Sequence, residues 1–184
     1  MTNAIDRAQL ALEIADVALL RGQFTLRSGR TSSYYLDKYR FTTRPELLTR
    51  VGKLLAERID RIAVESGPID RLAGAELGGI PLVTSAGLTT GLPFVFIRNS
   101  KKDYGTARQL EGVLEEGDRV VLLEDVATTA GQAAEAVEIL RGQGAEVAGV
   151  IAVIDRQEGA SETMAGAGVL FEALFTKTDL GVDE

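Results

Sequence analysis

The sequence predicts an α/β fold: a central parallel sheet flanked by helices, with a small N-terminal addition. Three observations carry that prediction. After Pro68, short apolar runs alternate with helical patterns, the rhythm of strand–helix–strand units. Those runs are continuously apolar instead of alternating, as expected of strands covered on both faces. The chain has 184 residues, 45% of them hydrophobic. That fits one domain over residues 1–184, burying roughly 70% of the surface its unfolded chain exposes.

Taken in order, Ile5, Leu10, Ile14, Val17 and Ala18 recur at helical spacing, and Gly22 is expected to close that helix. Residues 23–43 are aromatic and turn-rich, so they read as an irregular or antiparallel segment outside the main sheet. Pro45 opens a second helix through Leu47, Val51, Leu54, Leu55 and Ile59, since proline suits a first helical turn. Strands are expected at 71–75, 93–97, 119–125, 145–155 and 169–175, and helices at 79–88 and 130–142. Residues 98–118 break the rhythm: about twenty residues without a helical pattern, a length that in a compact domain points to function or disorder.

Composition narrows the chemistry. The charge balance of 20 Lys+Arg against 27 Asp+Glu leaves −7, with a pI near 4.8. That argues against bulk binding to nucleic acid or to an anionic membrane, though not against a local cationic site for a small anion. Cysteine and histidine are absent. Thiolate chemistry, Ser-His-Asp triads and His-ligated metals are thereby excluded, leaving Lys, Arg, Asp, Glu, Tyr and backbone groups. Asp6, Arg7, Glu13 and Asp16 interrupt the apolar N-terminal face. Neither a signal peptide nor a membrane span is expected there, and a cytoplasmic location is the natural expectation.

The segment VVLLEDVATTAGQ at 120–132 concentrates chemical potential. A buried strand ends in Glu124 and Asp125. A turn of small and hydroxyl residues follows, Val126, Ala127, Thr128, Thr129, Ala130 and Gly131, and a helix starts near Gln132. A helix N-terminus offers unpaired N–H groups and a positive dipole end, which suit a phosphate. The two carboxylates would repel that phosphate directly, so sugar hydroxyls are their better partners. A bland reading, a solvated acidic strand end followed by a threonine cap, competes with it on residues alone.

This segment resembles the phosphoribosyl-pyrophosphate (PRPP) motif of type I phosphoribosyltransferases. FTLRSGRTSSYYLD at 24–37 is similar to the hood segment, here about 22–43, of the orotate-specific members. RNSKKDYG at 98–105 resembles their catalytic loop, and VIDRQEG at 153–159 resembles their orotate-binding strand end. The order and spacing match that family from about residue 22 to 159. The resemblance implies a type I phosphoribosyltransferase fold and transfer of a 5-phosphoribosyl group from PRPP to orotate, giving orotidine 5′-monophosphate and pyrophosphate in pyrimidine synthesis.

It also implies roles. Lys102 is the catalytic lysine, with Asp125 beside it in the catalytic set. PRPP falls to Arg27, Arg98, Asn99, Lys102, Tyr104, Leu77, Gly78 and residues 124–132. Orotate falls to Tyr35, Leu36, Thr128 and Arg156. Asn99 and Tyr104 stand where many members carry lysine and histidine, and Leu77 and Gly78 where some carry a bulkier, basic pair. Mg²⁺ is implied as cofactor, held mainly by PRPP and water with no protein ligand assigned. A homodimer is implied too, sharing the loop 98–112 between subunits. Two alternatives stay open: a phosphoribosyltransferase for another base, or a non-catalytic PRPP-sensing regulator. Arg156 favours orotate, whose carboxylate needs a cation; a regulator would be expected to show a basic face or an added domain.

Overall fold

The computed structural model describes residues 5–25, 29, 31–99 and 109–182. Helix α1 (Arg7–Ala18) is capped by Asp6, whose carboxylate accepts from the Gln9 amide. It ends earlier than Gly22. Leu19 and Leu20 instead begin strand β1 (Leu19–Thr25), which pairs antiparallel with β2 (Thr31–Leu36). Gly22 lies in that hairpin, at a register break between Arg21 and Phe24. Its φ of 154° is one that side chains with a Cβ rarely adopt, so the glycine serves a bulge and not a helix stop.

A single helical turn, α2 (Tyr39–Thr42), leads into α3 (Pro45–Ser66), with Pro45 in the first turn as expected. There follow β3 (Arg71–Ala75), α4 (Gly79–Thr90), β4 (Phe94–Ile97), β5 (Leu110–Glu111), β6 (Arg119–Ala127), α5 (Gly131–Gly142), β7 (Glu146–Asp155), α6 (Ala160–Gly166) and β8 (Phe171–Thr176). The larger sheet has the order β5-β4-β3-β6-β7-β8. All its pairs are parallel except β4 with β5. The two-residue β5 and the short α6 carry too little pattern to be read from sequence.

The sheet is covered on both faces, as its apolar runs predict. Leu72, Val121, Leu123, Ile151 and Val153 pack with α1, α3 and α4. Ala73, Val120, Leu122, Val150 and Ala152 pack with α5 and α6. Every residue from Gly149 to Ile154 is buried, which only a strand sandwiched between helix layers achieves. α3 and α4 approach closely: Gly52 lies against Ser85, whose hydroxyl donates to the Leu48 carbonyl at 3.1 Å.

One topological fact positions the site. After β3 the chain adds β4 on one side, then returns to place β6 on the other. The carboxyl ends of β3 and β6 therefore flank a switch point, where open α/β sheets leave a crevice for ligands.

Candidate active site

The crevice is a cleft of about 280 Å³ lined by Lys38, Glu76, Gly78, Arg98, Asn99, Gln109, Glu124, Asp125, Gln132 and Glu135, with apolar side chains beneath. β6 supplies its acids. Strand alternation sends Asp125 to the α4 side and Glu124 to the α5 side. Asp125 is buried: Oδ1 accepts from the Val126 amide at 2.6 Å, and Oδ2, which accepts no hydrogen bond among the described residues, is ion-paired with Lys38 Nζ at 2.7 Å. Gly78 presses on the same carboxylate. A Cβ built at Gly78 would fall 1.3 Å from Asp125 Oδ2, so only glycine fits.

Glu124 is different. Its Oε2 is buried with no hydrogen-bond partner among the described residues, an acceptor left open toward the cleft. Burial, and after it the charge of the adjacent Asp125, push its carboxyl up to about 8. Lys38 experiences the reverse balance. Burial pulls its ammonium down, but the charge and close contact of Asp125, with smaller contributions from Tyr39 and Glu124, together outweigh it and leave it above its ordinary value.

Beyond Glu124 the chain turns through Thr128 and Thr129 into α5, around a second hollow of about 260 Å³ lined by Glu124, residues 126–133 and Glu135. Ala130 occupies the cap position of α5 with φ 56°, and no side chain caps that helix. The threonine-cap reading thereby falls away. The first amides of α5 are left for an outside acceptor, and the helix dipole favours an anion there.

At the neighbouring strand end, Arg156 follows β7 and its amide donates to the Ala127 carbonyl at 2.8 Å. Its guanidinium donates to the Tyr34 hydroxyl from Nε at 3.2 Å and from Nη2 at 3.0 Å, and Nη2 lies 2.9 Å from Glu158. The β1–β2 hairpin thus reaches the carboxyl edge of the sheet. Tyr34 and Leu36 share one face of β2, while Tyr35 turns to the other, exposed and 5.7 Å from the Phe24 ring. Tyr35 and Leu36 therefore do not point the same way.

Of the residues singled out in the sequence, Arg98, Asn99, Gly78, Glu124, Asp125 and Gln132 line one cleft. Val126, Ala127, Thr128, Thr129, Ala130 and Gly131 form the adjoining turn. Leu77 is exposed beside them, its peptide with Glu76 cis. Arg98 pairs with Glu111 at 3.7 Å, and the Asn99 amide donates to Glu76 at 2.6 Å. Arg27, Lys101, Lys102, Tyr104 and Gly105 lie outside the described residues. Lys38 and the Tyr34–Arg156 contact escaped the sequence reading. The weak signal for Lys38 was its rarity, since lysine occurs at only five positions; nothing local tied it to a strand end 87 residues on.

A switch-point cleft with two acids, a bare helix start and a guanidinium at the next strand end defines a phosphoribosyl-transferring class of protein. Residues 40–183 match the model of the phosphoribosyl transferase domain. The chain is 43% identical to the orotate phosphoribosyltransferase of Halobacterium salinarum over 178 residues, covering 97% of each chain. It is 45% identical to that of Haloquadratum walsbyi, covering 95% of this chain and 91% of the other. Among solved structures, the orotate phosphoribosyltransferase of Mycobacterium tuberculosis in complex with PRPP superposes with a TM-score of 0.80 at 30% identity, over 97% of this chain and 100% of the other. That of Aeropyrum pernix gives 0.81 at 34%, over 95% and 96%. The chain belongs to the orotate phosphoribosyltransferase family of type I phosphoribosyltransferases.

Proposed function

We infer that the protein is an enzyme transferring the 5-phosphoribosyl group from PRPP to orotate, giving orotidine 5′-monophosphate and pyrophosphate in pyrimidine synthesis. The observation that carries this reading is one switch point joining an unpartnered buried Glu124 oxygen, an uncapped helix start and, at the next strand end, Arg156. The 5′-phosphate takes the α5 amides and the threonine hydroxyls of the 128–131 turn. Glu124 and Asp125 stand beside the ribose, with Glu124 accepting from a ribose hydroxyl. Arg156 and Thr128 receive the carboxylate and polar edge of orotate, whose ring nitrogen attacks the ribose C1 and gives up its N–H proton to the departing pyrophosphate. The bond from C1 to pyrophosphate breaks with its electron pair leaving on the pyrophosphate. Arg98 and Lys102 offset that growing charge, so no histidine base is required.

Magnesium belongs to this reading as an ion carried by PRPP oxygens and water. No group of three or more carboxylates suited to a metal occurs among the described residues, while the substrate brings its own oxygens. Bound there, the ion supplies neutralisation of charge on the leaving group. A homodimer sharing the 98–112 segment and a cytoplasmic location complete the proposal. Among the described residues no helix is long and apolar enough to cross a membrane.

The test is direct. Purified protein with orotate, PRPP and Mg²⁺ is expected to deplete orotate absorbance. Intact orotate, with adenine or uracil consumed instead, overturns the assignment. Lys102→Ala is expected to lower turnover by orders of magnitude while PRPP still binds; near-normal turnover would remove the lysine from the mechanism.

A further inference from the structure

The described lining of the cleft is acidic. Glu76, Glu124, Asp125 and Glu135 face two cations, Lys38 and Arg98. A polyanionic substrate must nonetheless be received there, so each described cation matters. Lys38 does not come from the sheet or its crossovers. It stands at the entry of α2, just after the hairpin, with its side chain 35% exposed toward the cleft and its Nζ 2.7 Å from the buried Asp125 Oδ2.

We propose that Lys38 is a positioning residue for PRPP, acting through Asp125: it holds that carboxylate against Gly78 and leaves Glu124 as the acid that meets the ligand. Three observations support the division. Asp125 accepts from the Val126 amide through Oδ1 and is ion-paired with Lys38 through Oδ2. Asp125 Oδ2 sits where a Cβ of residue 78 would lie, so the carboxylate abuts the Gly78 backbone. Glu124 keeps an open buried oxygen. Without Lys38, two adjacent buried carboxylates would share one cleft, and like charges in low dielectric resist joint ionisation. Glu124, already pushed up with Lys38 in place, would then hold its proton to still higher pH, and the freed Asp125 side chain would no longer be fixed beside the turn at 76–79. The charged groups facing the pair are Lys38 from the α2 entry, Glu76 from the turn after β3, Arg98 from the end of β4 and Glu135 from α5; Tyr39, whose ring lies 5.6 Å from Lys38 Nζ, adjoins them.

This inference rests on the PRPP reading for its kinetic arm only. Steady-state kinetics of Lys38→Met and Lys38→Arg, varying each substrate between about pH 6 and 9, separate positioning from general damage. Lys38→Met is expected to raise KM for PRPP about tenfold, the loss of one charge-assisted contact, with KM for orotate nearly unchanged. The acid limb of kcat/KM for PRPP is expected to move to higher pH, and Lys38→Arg to restore it. An unmoved limb, or a loss spread over kcat and both KM values that Arg does not restore, overturns the proposal. A second measurement needs no turnover: carboxyl NMR titration of Glu124 in ligand-free protein. The charge of Lys38 draws the raised Glu124 carboxyl down, so Glu124 is expected to titrate at higher pH in Lys38→Met than in the parent chain, and an unmoved titration overturns the proposal even if orotate is never consumed. Should Lys38→Met fail to fold, Lys38→Gln takes its place in both measurements. An inactive parent chain with a Glu124 titration that Lys38→Met shifts would sink the orotate reading and leave the Lys38 contact standing.

Discussion

Glu124 shows how far one side chain's chemistry departs from its sequence identity. Its carboxyl is pushed up to about 8 from an ordinary 4.5. Between those values the folded protein holds a proton that the unfolded chain has released, so stability falls as pH rises through that interval and levels off above it. Glu124→Gln is therefore expected to melt higher than the parent near pH 8 and about equally near pH 5, in ligand-free thermal unfolding. A slope that survives the substitution would assign it elsewhere. Ala130 has a different local conflict: φ 56° in a non-glycine residue. Ala130→Gly is expected to stabilise the protein by about 0.5–1 kcal/mol by releasing that conformation. A lowered melting temperature would show that the methyl packs usefully enough to outweigh the backbone.

Among the elements, the β1–β2 hairpin reaches furthest beyond its own pairing. It sends Tyr34 to Arg156 and is followed directly by Lys38 on Asp125, tying both to carboxyl ends of the main sheet. Tyr34 is buried with its ring 5.1 Å from the Arg156 guanidinium, so its hydroxyl orients a cation instead of filling the core alone. Tyr34→Phe is expected to raise KM for orotate about fivefold, the size of one hydrogen bond of about 1 kcal/mol, and to leave KM for PRPP unchanged. An equal rise for both substrates would point to a loosened hairpin and not to a reoriented arginine.

At the scale of the molecule, both edges of the sheet pair charges. At the carboxyl edge Lys38 pairs with Asp125 and Arg156 with Glu158, while Glu124 keeps an open oxygen. At the amino edge Arg71 pairs with Asp118 at 2.6 Å and Arg119 with Glu146 at 2.9 Å. The pairing has its own pH signature. Burial opposes ionisation of Asp118, but the Glu115 amide and Arg71 outweigh it and hold the carboxyl below its ordinary 3.8. Its stabilisation is present above that ordinary value and is lost as pH falls through the lower folded one. With Glu124 acting on the alkaline side, the ligand-free protein is expected to be most stable in mildly acidic solution, as melting scans across pH would show. The core between the helix layers is the larger reserve: Ile151→Ala, at a fully buried position, is expected to cost about 2–5 kcal/mol in denaturant unfolding.

Much of this was legible in one dimension. The parallel strands β3, β4, β6, β7 and β8 and the helices α3, α4 and α5 follow from apolar runs, helical periodicity and a proline, because burial on both faces of a sheet leaves a local record in residue type. That Glu124, Asp125 and the 128–131 turn share one strand end was legible because they are consecutive along β6 and the turn after it. Gly22 misled because glycine permits both a helix stop and a bulge, and only pairing with β2 chose the bulge. Which acid pairs with Lys38, why residue 78 must be glycine, and that Lys38 and Tyr34 reach distant strand ends were decided by tertiary structure alone. Those facts depend on side chains up to 122 positions apart meeting at one switch point. No local pattern records such a meeting, because chain closure and packing create it.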